Sequence, residues 1–316
     1  MKVLIIGGAG YIGSHVAKDF LEKGHQVVVY DDLSTGQEIN LFSKAEFVQG
    51  NILDVSKLKI AMSKNIDVVI HLAAKKAVGE SMENPHKYSE NNITGSLNIL
   101  DAMVETGVKN IVFSSSAAVY GMPQYLPIDE KHPISPINYY GFTKIAIEQF
   151  MHWYEVTKNL KFVALRYFNA VGYDETGIIK GREKNPQNLL PLIVEVAEGT
   201  REKLNVYGDD YPTPDGTCIR DYIHVSDLAS AHVLAAEKLL SGMASQSLNL
   251  GTGKGTSVKE IIEATEELLG RKLNVEYAGR RAGDPAELTA SSKKAESLLG
   301  WKPRYLDIKQ IIKTNL

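Results

Sequence analysis

A tyrosine and a lysine stand four residues apart in this 316-residue chain, at Tyr140 and Lys144. On a helix that spacing puts both side chains on one face, within reach of each other. A phenol titrates near ~10 and is a poor base at neutral pH; bringing it near ~7 takes roughly 4 kcal/mol of stabilisation. A lysine ammonium and a further positive charge, held together in a dry site, supply stabilisation of that kind. Taken alone, the pair reads more simply as an exposed lysine beside a core tyrosine. Tyr139 has no lysine partner, because position 143 is Thr143. Ser114, Ser115 and Ser116 follow an apolar run, at the edge where open α/β sheets bind ligands. One of their hydroxyls could bridge a substrate hydroxyl and the tyrosine; the alternative is a polar turn that caps the strand.

A second constellation lies at the N-terminus. Gly8, Gly10 and Gly13 satisfy a G-x-G-x-x-G spacing, and Gly7, Gly10 and Gly13 satisfy G-x-x-G-x-x-G. Glycines between a strand and a helix allow a tight turn, close backbone approach to a pyrophosphate, and close packing of helix on sheet. The helix start then offers free N–H groups and positive potential to phosphates. A glycine trio alone is also compatible with an ordinary tight turn. Asp31 strengthens the first reading, because it ends the second apolar run about 20 residues further on, where an acid binds ribose hydroxyls. A carboxylate there repels a 2′-phosphate and favours NAD over NADP. Asp32 is the rival for that role.

These residues need a frame. Val3–Ile6, Val27–Tyr30, Phe47–Val48, Val68–His71, Asn110–Ser114 and Phe162–Arg166 read as strands. Tyr11–Lys23, Ser81–Glu105 and Tyr139–Lys158 read as helices between them. Apolar strands alternating with helices predict an α/β fold with a Rossmann-type, doubly wound parallel sheet. After Arg166 the rhythm changes. Residues 167–187 read as a long loop, a length that is uncommon unless functional. Helices follow at Asn188–Gly199, Ser226–Leu240, Val258–Leu269 and Lys293–Leu299. Strands are expected at Leu204–Tyr207, Leu248–Leu250 and near Val275, with turns over Gly208–Gly216. We therefore expect an NAD-binding Rossmann domain at 1–166, to which segments at about 226–250 return. A smaller mixed α/β lobe, predominantly for substrate, should occupy 167–316.

Composition is that of an ordinary globular protein, with 44% hydrophobic and 23% charged residues. A formal charge of -3 gives no general attraction to nucleic acid or acidic lipid. Cys218 is the only cysteine, so no intrachain disulfide forms, in keeping with a reducing cytoplasm. The first apolar run stops at the glycines, too short for a signal peptide, and no stretch approaches the ~20 residues of a membrane helix. The eight histidines lack paired-ligand spacing, so no metal is expected. These features predict a soluble cytoplasmic protein without a targeting segment.

The signals together resemble the extended short-chain dehydrogenase/reductase family over nearly the whole chain. Several strings are similar to its nucleotide-sugar 4-epimerase branch: GGAGYIGSH at 7–15, HLAAKKAVGES at 71–81, SSSAAVYG at 114–121 and YYGFTK at 139–144. RYFNAVG at 166–172, YGDDYPTPDGTCIRDYIHVSDLA at 207–229 and RRAGDPAEL at 280–288 continue the likeness into the substrate half. The resemblance implies NAD-dependent, reversible inversion at C4 of a UDP-hexose (UDP-glucose/UDP-galactose, with N-acetylated forms left open) through a 4-keto intermediate. It implies that Ser116 and Tyr140 work on the sugar 4-hydroxyl, while Lys144 binds the nicotinamide ribose and keeps the tyrosine acidic. It places Gly7, Gly10, Tyr11, Ile12, Gly13, Asp31, Asn51, Ile52, Lys76, Asn91 and Phe168 against NAD, with Tyr140 and Lys144.

For the nucleotide-sugar it implies Asn169, Asn188 and Leu189, then Val206 and Tyr207 at the uracil, and Arg220, Arg281 and Asp284 at the diphosphate and ribose. A guanidinium suits phosphate because two N–H groups bind two oxygens; the plainer role for Arg220 is an ion pair with Asp221. Leu288 stands where a gatekeeper limits room at the sugar C2, and is neither the bulky tyrosine nor the small cysteine or serine familiar there. Ala170 replaces a common proline, and the chain ends at Leu316, where family members often continue to finish a helix. The resemblance also implies a homodimer through Ser81–Glu105 and Tyr139–Lys158.

Two rival readings stand beside this one. A 4,6-dehydratase or decarboxylase on the same fold looks for Thr-Asp-Glu at the serine position, to supply an extra acid and base; here Ser116 is followed by Ala117 and Ala118. A non-catalytic NAD-binding sensor should lack the intact serine, tyrosine and lysine set.

Overall fold

The computed structural model describes residues 1–184, 186–281 and 283–316. The first half runs β1 (Lys2–Ile6), α1 (Tyr11–Glu22), β2 (Gln26–Asp31), β3 (Glu46–Gln49), α2 (Val55–Met62), β4 (Val68–His71), α3 (Val78–Glu83), α4 (Pro85–Tyr88), α5 (Gly95–Thr106), β5 (Asn110–Ser116), α6 (Tyr139–Lys158) and β6 (Lys161–Tyr167). The second half continues with β7 (Asn169–Val171), α7 (Leu189–Glu198), β8 (Leu204–Tyr207), β9 (Ile219–His224), α8 (Val225–Leu240), β10 (Gln246–Leu250), β11 (Gly255–Ser257), α9 (Val258–Leu269), β12 (Val275–Ala278), β13 (Glu287–Leu288), α10 (Lys293–Leu299) and α11 (Ile308–Lys313).

Seven strands form one parallel sheet in the order β10-β6-β5-β4-β1-β2-β3. Burial on both faces explains why these strands read as continuous apolar runs. Successive β1 residues point to opposite layers: Val3 and Ile5 join the core that contains Val16, Phe20 and Leu228, whereas Leu4 and Ile6 join the one that contains Leu58, Met103 and Ile147. The chain winds from β1 through β2 to β3 on one side and through β4, β5 and β6 on the other. The direction reverses between β1 and β4, the crevice where such sheets take ligands.

The smaller sheets cluster around β9. It pairs with β7 (Asn169 opposite Tyr222), with β11 antiparallel, and with β13 (Leu288 opposite Arg220). A separate parallel pair joins β8 and β12. A third core of Leu190, Ile193, Tyr222, Ile261 and Ile312 backs them.

Two expectations need correction. The long helix over Ser81–Glu105 is interrupted: α3 ends before Asn84, α4 starts with Pro85 at its first turn, and Ser89–Thr94 is a π-helix leading into α5. Proline removes a helical donor, which makes Pro85 a starting residue and not an interior one. The predicted elements also omit α2 and the β7, β9, β11 and β13 strands. For α2 the signal is Asp54, whose carboxylate accepts from the Lys57 N–H at 3.0 Å and caps the helix start.

Candidate active site and dinucleotide cavity

Gly7 follows β1 with φ +86, and a Cβ there would lie 2.7 Å from the Ala73 nitrogen beyond β4. A Cβ on Gly13 would sit 2.0 Å from the Gly7 carbonyl oxygen. Both glycines are therefore dictated by the turn and by helix-on-sheet packing. Gly10 differs: only the Gly7 oxygen, at 3.3 Å, would meet its Cβ. The open side of Gly10 faces a cavity of about 380 Å³ at the β1/β4 crevice, lined also by Gly7, Tyr11, Ile12, Gly13 and Asp31. No side chain caps α1, so its first-turn N–H groups remain available to an anion.

Asp31 ends β2 and is buried, accepting from the Ala9 N–H at 3.0 Å and the Leu33 N–H at 2.9 Å. Burial raises its pKa, and those two donors counter the rise. Asp32 also lines the cavity, its carboxylate held by the Asn51 amide at 2.7 Å and the Ser34 N–H at 2.9 Å. Ile52, Lys76 and Asn91 complete the expected set on the wall. Asn51 and Phe168 are not among the wall residues: Asn51 donates to Asp32 and accepts from the Leu53 N–H, while Phe168 packs among Ala117, Val119 and Tyr120. The donors and acceptors fit a dinucleotide: free helix N–H groups for phosphate, and acids at the end of β2 for ribose hydroxyls.

Beyond Ser114, at the cavity's end, stands the tyrosine–lysine pair. Lys144 is 2% exposed and donates from Nζ to the Ser114 carbonyl at 2.7 Å. Its Nζ lies 5.6 Å from the centre of the Tyr140 ring and 4.8 Å from that of Phe113. Tyr140 lies beside the Ser116 side chain, which eases its ionisation. Its rival Tyr139 points elsewhere, bonded to Ser89. Burial pushes the Tyr140 phenol up to about 12, eased by the Ser116 hydroxyl, and pushes Lys144 down to about 7, countered by the charge of Glu148. Burial thus opposes ionisation of the phenol, and a further positive charge beside the lysine would act in the opposite direction.

Three devices hold this geometry that motif spacing does not reveal. Gly141 lets α6 approach the serine loop, because a Cβ there would lie 2.4 Å from the Ala118 carbonyl oxygen. Glu148, two turns along α6 from Tyr140, is gripped by Arg166 at 2.6 and 3.0 Å and accepts from Ser115 and Ser247, which locks α6 to β5, β6 and β10. Asn92 bonds both backbone groups of Lys75 at 2.8 and 2.9 Å and reaches Thr143 at 3.2 Å. Both asparagines lie in the π-helix, Asn92 buried and Asn91 on the wall.

Of the expected substrate residues, Asn169, Val206, Tyr207, Arg220 and Leu288 lie on the smaller sheets, and none of the set lines the dinucleotide cavity. Ser116 pairs in register with Tyr167, and β7 begins at Asn169, just past that partner. Asn169 donates to the Asp221 carbonyl at 3.0 Å, and β9 carries Arg220 beside Leu288 on β13. Arg220 pairs with Asp284 at 3.5 Å, not with Asp221, which is buried and accepts from Thr252, Gly253 and Ala290. Arg281 stacks 3.9 Å over the Tyr207 ring. Val206 is buried in the third core, and Asn188 precedes Leu189 at the start of α7.

The NAD dependent epimerase/dehydratase family matches residues 3–251. The chain belongs to that family. Its curated relatives include UDP-glucose 4-epimerase of Halalkalibacterium halodurans, 49% identical over 99% of this chain and 93% of that protein. Among solved structures, UDP-glucose 4-epimerase from Brucella ovis in complex with NAD is 47% identical with TM-score 0.96, covering 99% of this chain and 96% of that one. The Stenotrophomonas maltophila enzyme with bound NAD and formylated UDP-arabinopyranose is 41% identical with TM-score 0.95, covering 100% and 96%. This member of the epimerase/dehydratase family thus shares fold and length with enzymes of one activity.

Proposed function

We propose that this protein is an NAD-dependent UDP-glucose 4-epimerase, inverting C4 of a UDP-hexose through a 4-keto intermediate. The observation that carries the reading is Tyr140, half-buried beside Ser116, with Lys144 buried beside the same strand end and next to the dinucleotide cavity. The cavity residues would hold NAD, which when bound would supply a reversible hydride acceptor for C4. Tyr140 accepts the proton of the 4-hydroxyl and returns it, Ser116 shares that hydrogen bond, and Lys144 contributes positive charge at the phenol. The grip falls on the nucleotide: Arg220 and Arg281 hold the diphosphate, Tyr207 flanks the base, and Asn169 and the start of α7 approach the sugar. The ketose is then free to turn and offer its other face.

The relatives bind NAD and act on UDP-sugars, and identity near half over the full length supports carrying both to this chain. Among the described residues no helix is long and apolar enough to cross a membrane; a cytoplasmic location accords with the single cysteine. A homodimer is supported by α6, whose buried face holds Lys144 while Phe142, Trp153 and Val156 are exposed on the other. Large apolar side chains exposed together mark association surfaces. The test is to incubate purified protein with UDP-galactose, and separately with UDP-N-acetylgalactosamine, without added NAD. Conversion of UDP-galactose to UDP-glucose is expected; none would remove the proposal, and the second substrate reads the room at Leu288.

A further inference from the structure

The segment after β7 returns across the mouth of the dinucleotide cavity, and Gly181, Arg182, Glu183 and Lys184 form part of its wall. It is fastened there by Asn40 and Gln37 of the N-terminal half and by its own Tyr173. Asn40 clasps Gly181 in both directions, accepting its N–H at 2.8 Å and donating to its carbonyl at 3.1 Å. The clasp depends on glycine, since a Cβ at 181 would lie 2.7 Å from the Asn40 Oδ1. Gln37 donates to the Arg182 carbonyl, and the Tyr173 hydroxyl accepts from the Glu183 N–H at 3.0 Å. The strap is therefore fixed at three successive residues.

Glu183 is the residue this fastening presents. One carboxylate oxygen, Oε1, pairs with Lys76 of the opposite wall. The other, Oε2, is buried without a hydrogen-bond partner among the described residues. A buried carboxylate oxygen left unmatched is costly, and this one borders the cavity that takes the cofactor. A dinucleotide carries ribose hydroxyls, which are donors of the required kind.

We infer that Glu183 is a cofactor-binding residue: its Oε2 accepts a hydrogen bond from a ribose hydroxyl of the bound dinucleotide, with Lys76 orienting the carboxylate and the Asn40–Gly181 clasp holding the strap in place. This rests on the proposed NAD-dependent activity, in which the cofactor is regenerated every cycle and gains nothing by leaving. A strap contact that must open before release makes NAD a resident group and not a co-substrate.

The experiment compares release of bound NAD from wild type, E183A, E183Q and K180A, each diluted into excess ADP-ribose and sampled by rapid gel filtration. E183A should release NAD roughly tenfold faster or more, and E183Q, which keeps an acceptor oxygen without the charge, should fall between. K180A removes an exposed side chain of the same strap that is not on the cavity wall and should match wild type. Wild-type release rates in both Glu183 variants would overturn the inference, as would equal acceleration by K180A, which would mean that any disturbance of the strap suffices. Should E183A fail to fold, E183Q against K180A decides. Wild type that carries no NAD at all would instead sink the proposed function, and this inference with it.

Discussion

Lys144 and Ser114 are joined by a hydrogen bond from a buried ammonium to a strand carbonyl, at 2.7 Å. The bond ties the helix that carries the phenol to the strand that carries Ser116, and it holds a charge where water cannot. Burial is why the lysine falls to about 7, with Glu148 the opposing influence; His71, itself lowered by burial and by Lys144, and Tyr140 are the other titratable groups near it. The folded value lies below the unfolded value of ~10.4. Between the two, the unfolded chain binds the extra proton, so the cofactor-free protein gains stability as pH rises above about 7. Lys144→Met lacks this gain. From pH 7 to 9.5 wild type should gain on the variant by on the order of 3 kcal/mol, read from denaturant melts of both. A stability difference independent of pH would show that Lys144 is not titrating in this range.

Tyr140→Phe removes the proton carrier and leaves the ring. Turnover of UDP-galactose should drop by roughly 10²–10⁴, the span of general acid–base catalysis. NAD content after purification should be unchanged, because the glycine turn after β1, Asp31 at the end of β2 and Lys144 are left in place. Loss of cofactor together with activity would make Tyr140 a binding residue first.

Gly141→Ala tests the approach of α6 to the serine loop. The new Cβ, built 2.4 Å from the Ala118 oxygen, must push the helix start away from Ser116. Overpacking of this kind costs about 1–3 kcal/mol, and a shift near 1 Å between reacting groups costs about 10² in rate. Activity should therefore fall far more than melting temperature. A variant with wild-type turnover would show that the Tyr140–Ser116 geometry tolerates the shift.

The parts of this site legible in the sequence are those fixed locally. Gly7 and Gly13 announce themselves because the turn and the helix packing dictate both, and Gly10 because it completes their spacing on the cavity side; Tyr140 and Lys144 do so because helix geometry converts a spacing of four into a shared face. The central sheet was legible because strands buried on both faces are uniformly apolar. What stayed hidden is set by partners distant in sequence. Glu148 gains its role only when Arg166 and Ser247 arrive from β6 and β10. Glu183 and Asn40 meet the cavity through a strap about 140 residues removed from the clasp that holds it. The strands clustered at β9, namely β7, β9, β11 and β13, are two to six residues each, too brief for a period to register.

Trp153→Glu addresses association. Trp153 is 63% exposed on α6, turned away from Lys144. A carboxylate buried in an apolar interface is strongly disfavoured, so the variant should run as a monomer in light scattering where wild type runs as a dimer. Wild type that is itself a clean monomer would dispose of the homodimer.

Arg220→Met separates substrate grip from chemistry. Arg220 is largely buried, its partner Asp284 stands 3.5 Å away, and its backbone pairs with Leu288. Hydrogen bonds to charged groups contribute about 1.5–3 kcal/mol, so losing the diphosphate contact should raise KM for UDP-galactose by roughly 10- to 100-fold. NAD retention should not change, since Arg220 is not on the dinucleotide wall. Arg220→Lys keeps the charge but not the paired N–H groups, and should recover part of the loss. If kcat falls while KM holds, the guanidinium acts on the sugar's reaction and not on the nucleotide, and the division of labour between the two sheets would need redrawing.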